Sequence, residues 1–149
     1  MTAREYLLQS VKIREKLGYI RERIIKLETD LGYRCKQLDD SGASKGTMID
    51  TWGEKAAELI DLESEWERER FALERKNNEI RATVEQLENP EYVAVLTERY
   101  LVENRKNPCR LNPWVAVAFK LGMTSEDAVK QKHKRAIKEL EKNFQCDTP

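Results

Sequence analysis

From Ala3 to Leu38 one stripe of residues recurs at alternating steps of three and four: Ala3, Tyr6, Ser10, Ile13, Leu17, Ile20, Ile24, Leu27, Leu31, Arg34 and Leu38. That step keeps a side chain on one side of an α-helix and matches no strand period. Ser10 and Arg34 interrupt the stripe, and Gly18 and Gly32 each weaken the helix by roughly 1 kcal/mol against alanine. A second series, Leu59, Trp66, Leu73, Ile80 and Leu87, recurs every seven residues, widened by Trp52, Ala56, Leu62, Phe71 and Val84. Two long amphipathic helices are therefore expected.

Between them Asp39 to Asp50 reads DDSGASKGTMID, rich in glycine, serine and aspartate and without periodicity, so a loop of about a dozen residues is predicted. Asp50 or Thr51 is the expected cap of the second helix. Helices joined this way fold back as an antiparallel hairpin, with the pairing within one chain or between two. The hairpin reads as a spacer or oligomerisation element, and charges beside its seam, such as Arg21, Arg23, Glu67 and Glu69, read as solvated faces. Asn89 and Pro90 then close the long helix and open another, and Asn112 and Pro113 repeat the device after a loop from Asn104 to Leu111.

Charge separates the second long helix from the basic stretch that follows it. Residues 50–89 carry twelve acidic and six basic side chains, and residues 105–142 carry four acidic and ten basic, a change from −6 to +6 in a chain of zero net charge. A basic end of this kind suits a polyanionic partner. Cys35, Cys109 and Cys146 have no ligand spacing and are read as free thiols, so neither a metal nor another cofactor is expected. His133, the single histidine, has no marked nucleophile or carboxylate partner and is expected to pack structurally, so the chain is read as a non-enzyme. No signal-peptide core or membrane-length apolar run occurs, so a cytoplasmic location is expected.

The basic end has its own grammar. Trp114, Val117, Ala118 and Leu121 share one helical face, Gly122 can take the left-handed conformation that ends a helix, and Thr124 is the expected cap of the next, with Asp127 returning the interaction. Two helices about a short glycine-containing turn make a helix-turn-helix. In the second helix Val129, Ala136, Ile137 and Leu140, with part of His133, point inward, and Lys130, Gln131, Lys134 and Lys138 point outward. Lys130, Gln131 and Lys134 are the expected groove residues, and Lys120, Lys138, Arg105 and Arg110 the expected phosphate contacts. Thr124, Ser125, Glu126 and Arg135 complete the candidate DNA-binding set.

YVAVLTERYL followed by PWVAVAFKLGMTSEDAVKQKHKRAIKEL resembles region four of bacterial sigma factors. The whole chain, through LENPEY and RYL to KHKRAIKELEK, is similar to phage transcriptional regulators of the RinA and ArpU type. It departs from the sigma pattern in the longer loop before Trp114, in Val115 and Ala116 where acidic residues are common, and in Lys132 where an apolar residue is frequent. The resemblance implies activation of late phage or mobile-element genes, including packaging genes.

The expectation is an all-α protein, with a long helical hairpin over residues 1–89 and a helix-turn-helix domain over 90–149. It is expected to bind duplex DNA in a bacterial host cell, as a homodimer through the hairpin and with RNA polymerase as a further partner. The competing reading is a helical adaptor that binds RNA polymerase or a packaging component, in the manner of a small terminase subunit.

Overall fold

The computed structural model describes the backbone of residues 1–41 and 45–146, and the side chains of residues 1–32 and 52–146. Regular structure among them is helical throughout: α1 (Ala3–Ser41), α2 (Lys45–Glu85), α3 (Pro90–Leu96), a wide π-type turn (Thr97–Leu101), α4 (Trp114–Leu121) and α5 (Glu126–Cys146). No described helix is long and apolar enough to cross a membrane.

The loop expected over Asp39 to Asp50 is much shorter, because α1 runs through Ser41 and α2 starts at Lys45. Gly46 weakens a helix without stopping it, and the segment has no proline to remove a backbone donor. Residues 42–44 lie outside the described residues, as do the side chains of Arg34, Cys35 and Leu38 and of the expected caps Asp50 and Thr51.

Contacts group the chain into two compact units, Lys16–Phe71 and Met1–Glu15 with Ala72–Pro149. In the first, α1 and α2 pair antiparallel within one chain. Lys16 Nζ lies 2.6 Å from Glu69 Oε1, Arg23 Nη2 2.6 Å from Glu58 Oε1, and Lys55 Nζ 3.2 Å from Asp30 Oδ2, so one numbering rises as the other falls. Such part-exposed pairs contribute about 0–1 kcal/mol each and mainly select register. The seam itself is apolar, with Ile20, Leu27 and Leu62 buried and Ile24, Leu59 and Trp66 packed beside them.

The second unit differs from a division after Asn89, because the first turns of α1 and the last of α2 share a core with the C-terminal helices. Ala3, Leu7, Ile80, Val84, Leu87, Leu96, Tyr100, Leu101, Ala136 and Leu140 form one buried cluster. Packing on more than one side moves the inward face of α1. Leu7, Val11 and Arg14 are buried together with Ala3 and Ser10, whereas Tyr6 and Ile13 of the predicted stripe are half-buried. Ser10, an interruption by sequence, is fully enclosed and its hydroxyl donates to Asn77 Oδ1. Arg14 is buried too, donating from Nη2 to the Tyr100 carbonyl at 2.6 Å. Burial pulls its basicity below the usual guanidinium range, opposed by the charge of Glu103.

Asn89 caps α3 as expected, its side-chain oxygen accepting from the Glu91 N–H at 3.0 Å with Pro90 in the first turn. Asn112 does not cap α4. Its amide instead donates to the Glu98 and Val102 carbonyls, both at 2.8 Å, and so closes the end of the π-type turn. Pro113 occupies the cap position of α4 without a side-chain bond.

Truncating a core methyl set and an exposed one should separate these roles. Ile80→Ala, at a fully buried site, is expected to lower unfolding stability by about 2–5 kcal/mol, and Val115→Ala, at an exposed one, by less than about 0.5 kcal/mol, measured by urea denaturation.

Candidate nucleic-acid interface

The turn between α4 and α5 is built by two overlapping backbone bonds. Met123 N–H donates to the Ala118 carbonyl at 2.9 Å and Gly122 N–H to the Phe119 carbonyl at 3.3 Å, with Gly122 left-handed at φ 67° and ψ 27°. This is the Schellman arrangement, for which a residue bearing a Cβ is strained at that position. The cap of α5 is Ser125 rather than Thr124, since Ser125 Oγ accepts from the Ala128 N–H at 3.2 Å. The redirecting turn consumes Met123 and Thr124 before the helix opens at Glu126. Position three of the helix is then Ala128, which has no group to return the interaction, so the predicted role of Asp127 is not realised.

Val95, Val117, Ala118 and Val129 are buried at the helix crossing, with Trp114, Leu121 and Met123 beside them. The inner face of α5 continues through Ala136 and Leu140 into the main core of this unit. A lattice of aromatic and polar contacts sets its orientation. The Tyr100 hydroxyl lies 2.8 Å from His133 Nε2 and the two rings are stacked at 5.6 Å. Trp114 meets the other side of His133 edge-on at 4.8 Å, and the Arg99 guanidinium sits 4.0 Å over Trp114. Arg99 also donates to the Asn112 carbonyl. His133 is thus packed structurally, as its sequence context suggested. Desolvation, aided by the positive charges of Arg99 and Arg4, lowers its pKa to about 4, so the ring is neutral at physiological pH.

The outward side of α5 presents Lys130, Gln131, Lys134, Arg135 and Lys138, all exposed, with Lys142 one turn further on. These positions recur at helical spacing, so the predicted row is one continuous surface. Ser125 and Thr124 are exposed at its N-terminal end. Glu126 is half-buried and pairs with Lys130 at 3.2 Å, a carboxylate within the row rather than a contact directed outward. Lys120 is likewise held, 3.4 Å from Glu98. Lys132, anomalous in sequence, pairs with Glu91 of α3 at 2.7 Å.

Arg105 and Arg110 are exposed on the loop after the π-type turn, and no described contact joins them to the α5 row. That loop is ordered by its asparagines. Asn104 Oδ1 accepts from the Lys106 N–H at 3.0 Å, Asn104 Nδ2 donates to the Leu111 carbonyl at 3.3 Å, and Asn107 Oδ1 accepts from the Cys109 N–H at 3.1 Å. The Cys109 thiol approaches the Arg14 carbonyl at 3.5 Å, which places the loop against α1.

Two features escaped the sequence reading. Lys142 extends the cation row and was foreshadowed by its four-residue step from Lys138. The Arg99 and Asn112 network was not legible, because its bonds run to backbone carbonyls that become neighbours in the fold. No family model, characterised protein or solved structure matches the chain.

Folded His133 holds its proton more weakly than unfolded histidine of ordinary pKa near 6.5. The unfolded chain therefore gains a proton first as pH falls, and stability is expected to drop between pH 6.5 and 4 by up to roughly 3 kcal/mol, then level with respect to this group. Thermal unfolding of the wild type and His133→Gln across that window checks it, the variant lacking this contribution to the slope.

Proposed function

We propose that the chain is a sequence-specific, DNA-binding transcription regulator of phage or mobile-element genes, of the RinA and ArpU type, acting through the helix-turn-helix of α4 and α5. The observation that carries the reading is the outward row Lys130, Gln131, Lys134, Arg135 and Lys138 on a helix whose opposite face is anchored in the core. In a helix-turn-helix the second helix enters the major groove. There Gln131 suits adenine, lysines suit guanine or phosphate, and the small exposed Ser125 admits a close approach of the backbone.

A single module of this size buries little DNA, so useful specificity calls for two copies or a second protein. The residues that support self-association lie in the unit Lys16–Phe71. Ile60 and Phe71, 63% and 56% exposed, are eleven residues apart and therefore lie on one side of α2. A homodimer through this surface brings two reading helices to one DNA. A second reading, a helical adaptor for RNA polymerase or a packaging component, is favoured by one specific observation. Phe119 and Val115 of α4, 87% and 64% exposed, sit one turn apart and lack the burial their size favours.

Lys130→Glu with Lys134→Glu is expected to abolish retention of duplex DNA while helicity and thermal unfolding stay near wild type, since Lys130 loses only an exposed ion pair. Unfolding of that variant would show the lysines to be structural. Light scattering is expected to give about twice the 17.5 kDa chain mass, and Ile60→Glu with Phe71→Glu to return it to one chain. A wild-type monomer would remove the dimer, and a large ring would favour the packaging reading.

A further inference from the structure

Beside the C-terminal half of α5 lies a groove of about 580 Å³ at the corner where α2 gives way to α3. Arg135, Lys138 and Lys142 line it together with Gln86 and Tyr92. Its charge is not spoken for in the way that of the neighbouring row is. Lys120, Lys130 and Lys132 are each held by a carboxylate, whereas no ion pair involves Arg135, Lys138 or Lys142 among the described residues. Glu88 and Glu139 also line the groove, so three cations against two carboxylates leave an excess of one positive charge, and exposed Lys134 adjoins it on the outward face.

The donors match one class of ligand. An arginine fork binds two oxygens of one phosphate, an ammonium holds a phosphate as a point charge, and a phenol and an amide add neutral donors. Arg135 and Lys142 are seven residues apart, about 10 Å along the helix, far enough to hold two separate phosphates. A reading helix meets base edges through its N-terminal part. Its C-terminal part, where these cations are concentrated, is left to the backbone of the duplex.

We infer that this groove seats a phosphate strand of the bound DNA, with Arg135 and Lys142 as its anchoring cations and the Tyr92 hydroxyl as a neutral donor. The inference rests on the DNA-binding reading and deepens it. Register on the duplex is set from the α2 to α3 corner, and Gln131 and Lys134 are left to approach the bases.

Phosphate contacts are indifferent to sequence, so a mixed-sequence duplex suffices as the probe. Anisotropy titrations of the full chain at several salt concentrations give the affinity and its log–log salt slope. Arg135→Ala with Lys142→Ala is expected to reduce the slope by about 0.9 for each contact removed. Tyr92→Phe is expected to weaken binding about two- to tenfold with the slope unchanged. A charge-matched control on exposed sites outside the groove, Lys12→Ala with Arg81→Ala, should leave both values at wild type, and circular dichroism confirms that each variant is folded. Equal loss of slope in the control overturns the groove, showing general charge alone. Unaltered binding by the groove variants, with Lys130→Glu and Lys134→Glu still abolishing it, overturns the groove and leaves the DNA-binding reading standing. Failure of the wild type to bind duplex even at low salt overturns both.

Discussion

Tyr100 is buried in one cluster with residues from α1, α2, α3 and α5, among them Leu7, Ile80, Leu96 and Leu140, and both its backbone carbonyl and its hydroxyl are used. Its carbonyl accepts from Arg14 and its hydroxyl meets His133. One residue, through its backbone carbonyl and its side chain, thereby ties the first turns of the chain to the helix that carries the candidate interface. The wide turn makes this possible, because its Val102 N–H reaches back five residues to the Thr97 carbonyl at 3.0 Å and the extra residue brings Tyr100 and Leu101 inward together. Arg14 contributes position more than stability, since its Nε and Nη1 have no partner in a buried setting and such groups cost energy to desolvate.

Charge is distributed by the same architecture. Carboxylates accompany the cations near the turn, where Glu98, Glu126 and Glu91 hold Lys120, Lys130 and Lys132. Toward the C-terminal half of α5 the cations Arg135, Lys138 and Lys142 stand without ion pairs among the described residues. A row that looks uniform as a string of lysines is therefore graded, its cations held in ion pairs at one end and in excess over the neighbouring carboxylates at the other.

Helix type, the antiparallel pairing and the position of Gly122 were legible because each rests on local spacing or on one residue's backbone freedom. The shift of the buried face of α1 from Tyr6 and Ile13 to Leu7, Val11 and Arg14 was not, since a heptad describes one partner helix and this stretch packs on several. Asn112 misled for a related reason. An asparagine before proline is a sound cap signal, but its amide found two carbonyls ten and fourteen residues earlier that no local rule anticipates. Thr124 and Ser125 differ by one position, and the tie was broken by how many residues the turn consumes. In the candidate interface, the exposure of Lys130, Gln131, Lys134 and Lys138 followed from periodicity, whereas the pairs of Lys120 with Glu98 and of Lys132 with Glu91 depended on residues distant in sequence.

The shared core also has a meaning for biosynthesis. Ala3 and Leu7 leave a ribosome more than a hundred residues ahead of Ala136 and Leu140, with which they share one buried cluster. At ordinary elongation rates the early segment waits on the order of ten seconds for its partners. The seam of Ile20, Leu27 and Leu62, by contrast, has all its residues in place well before Ala136 and Leu140 are made.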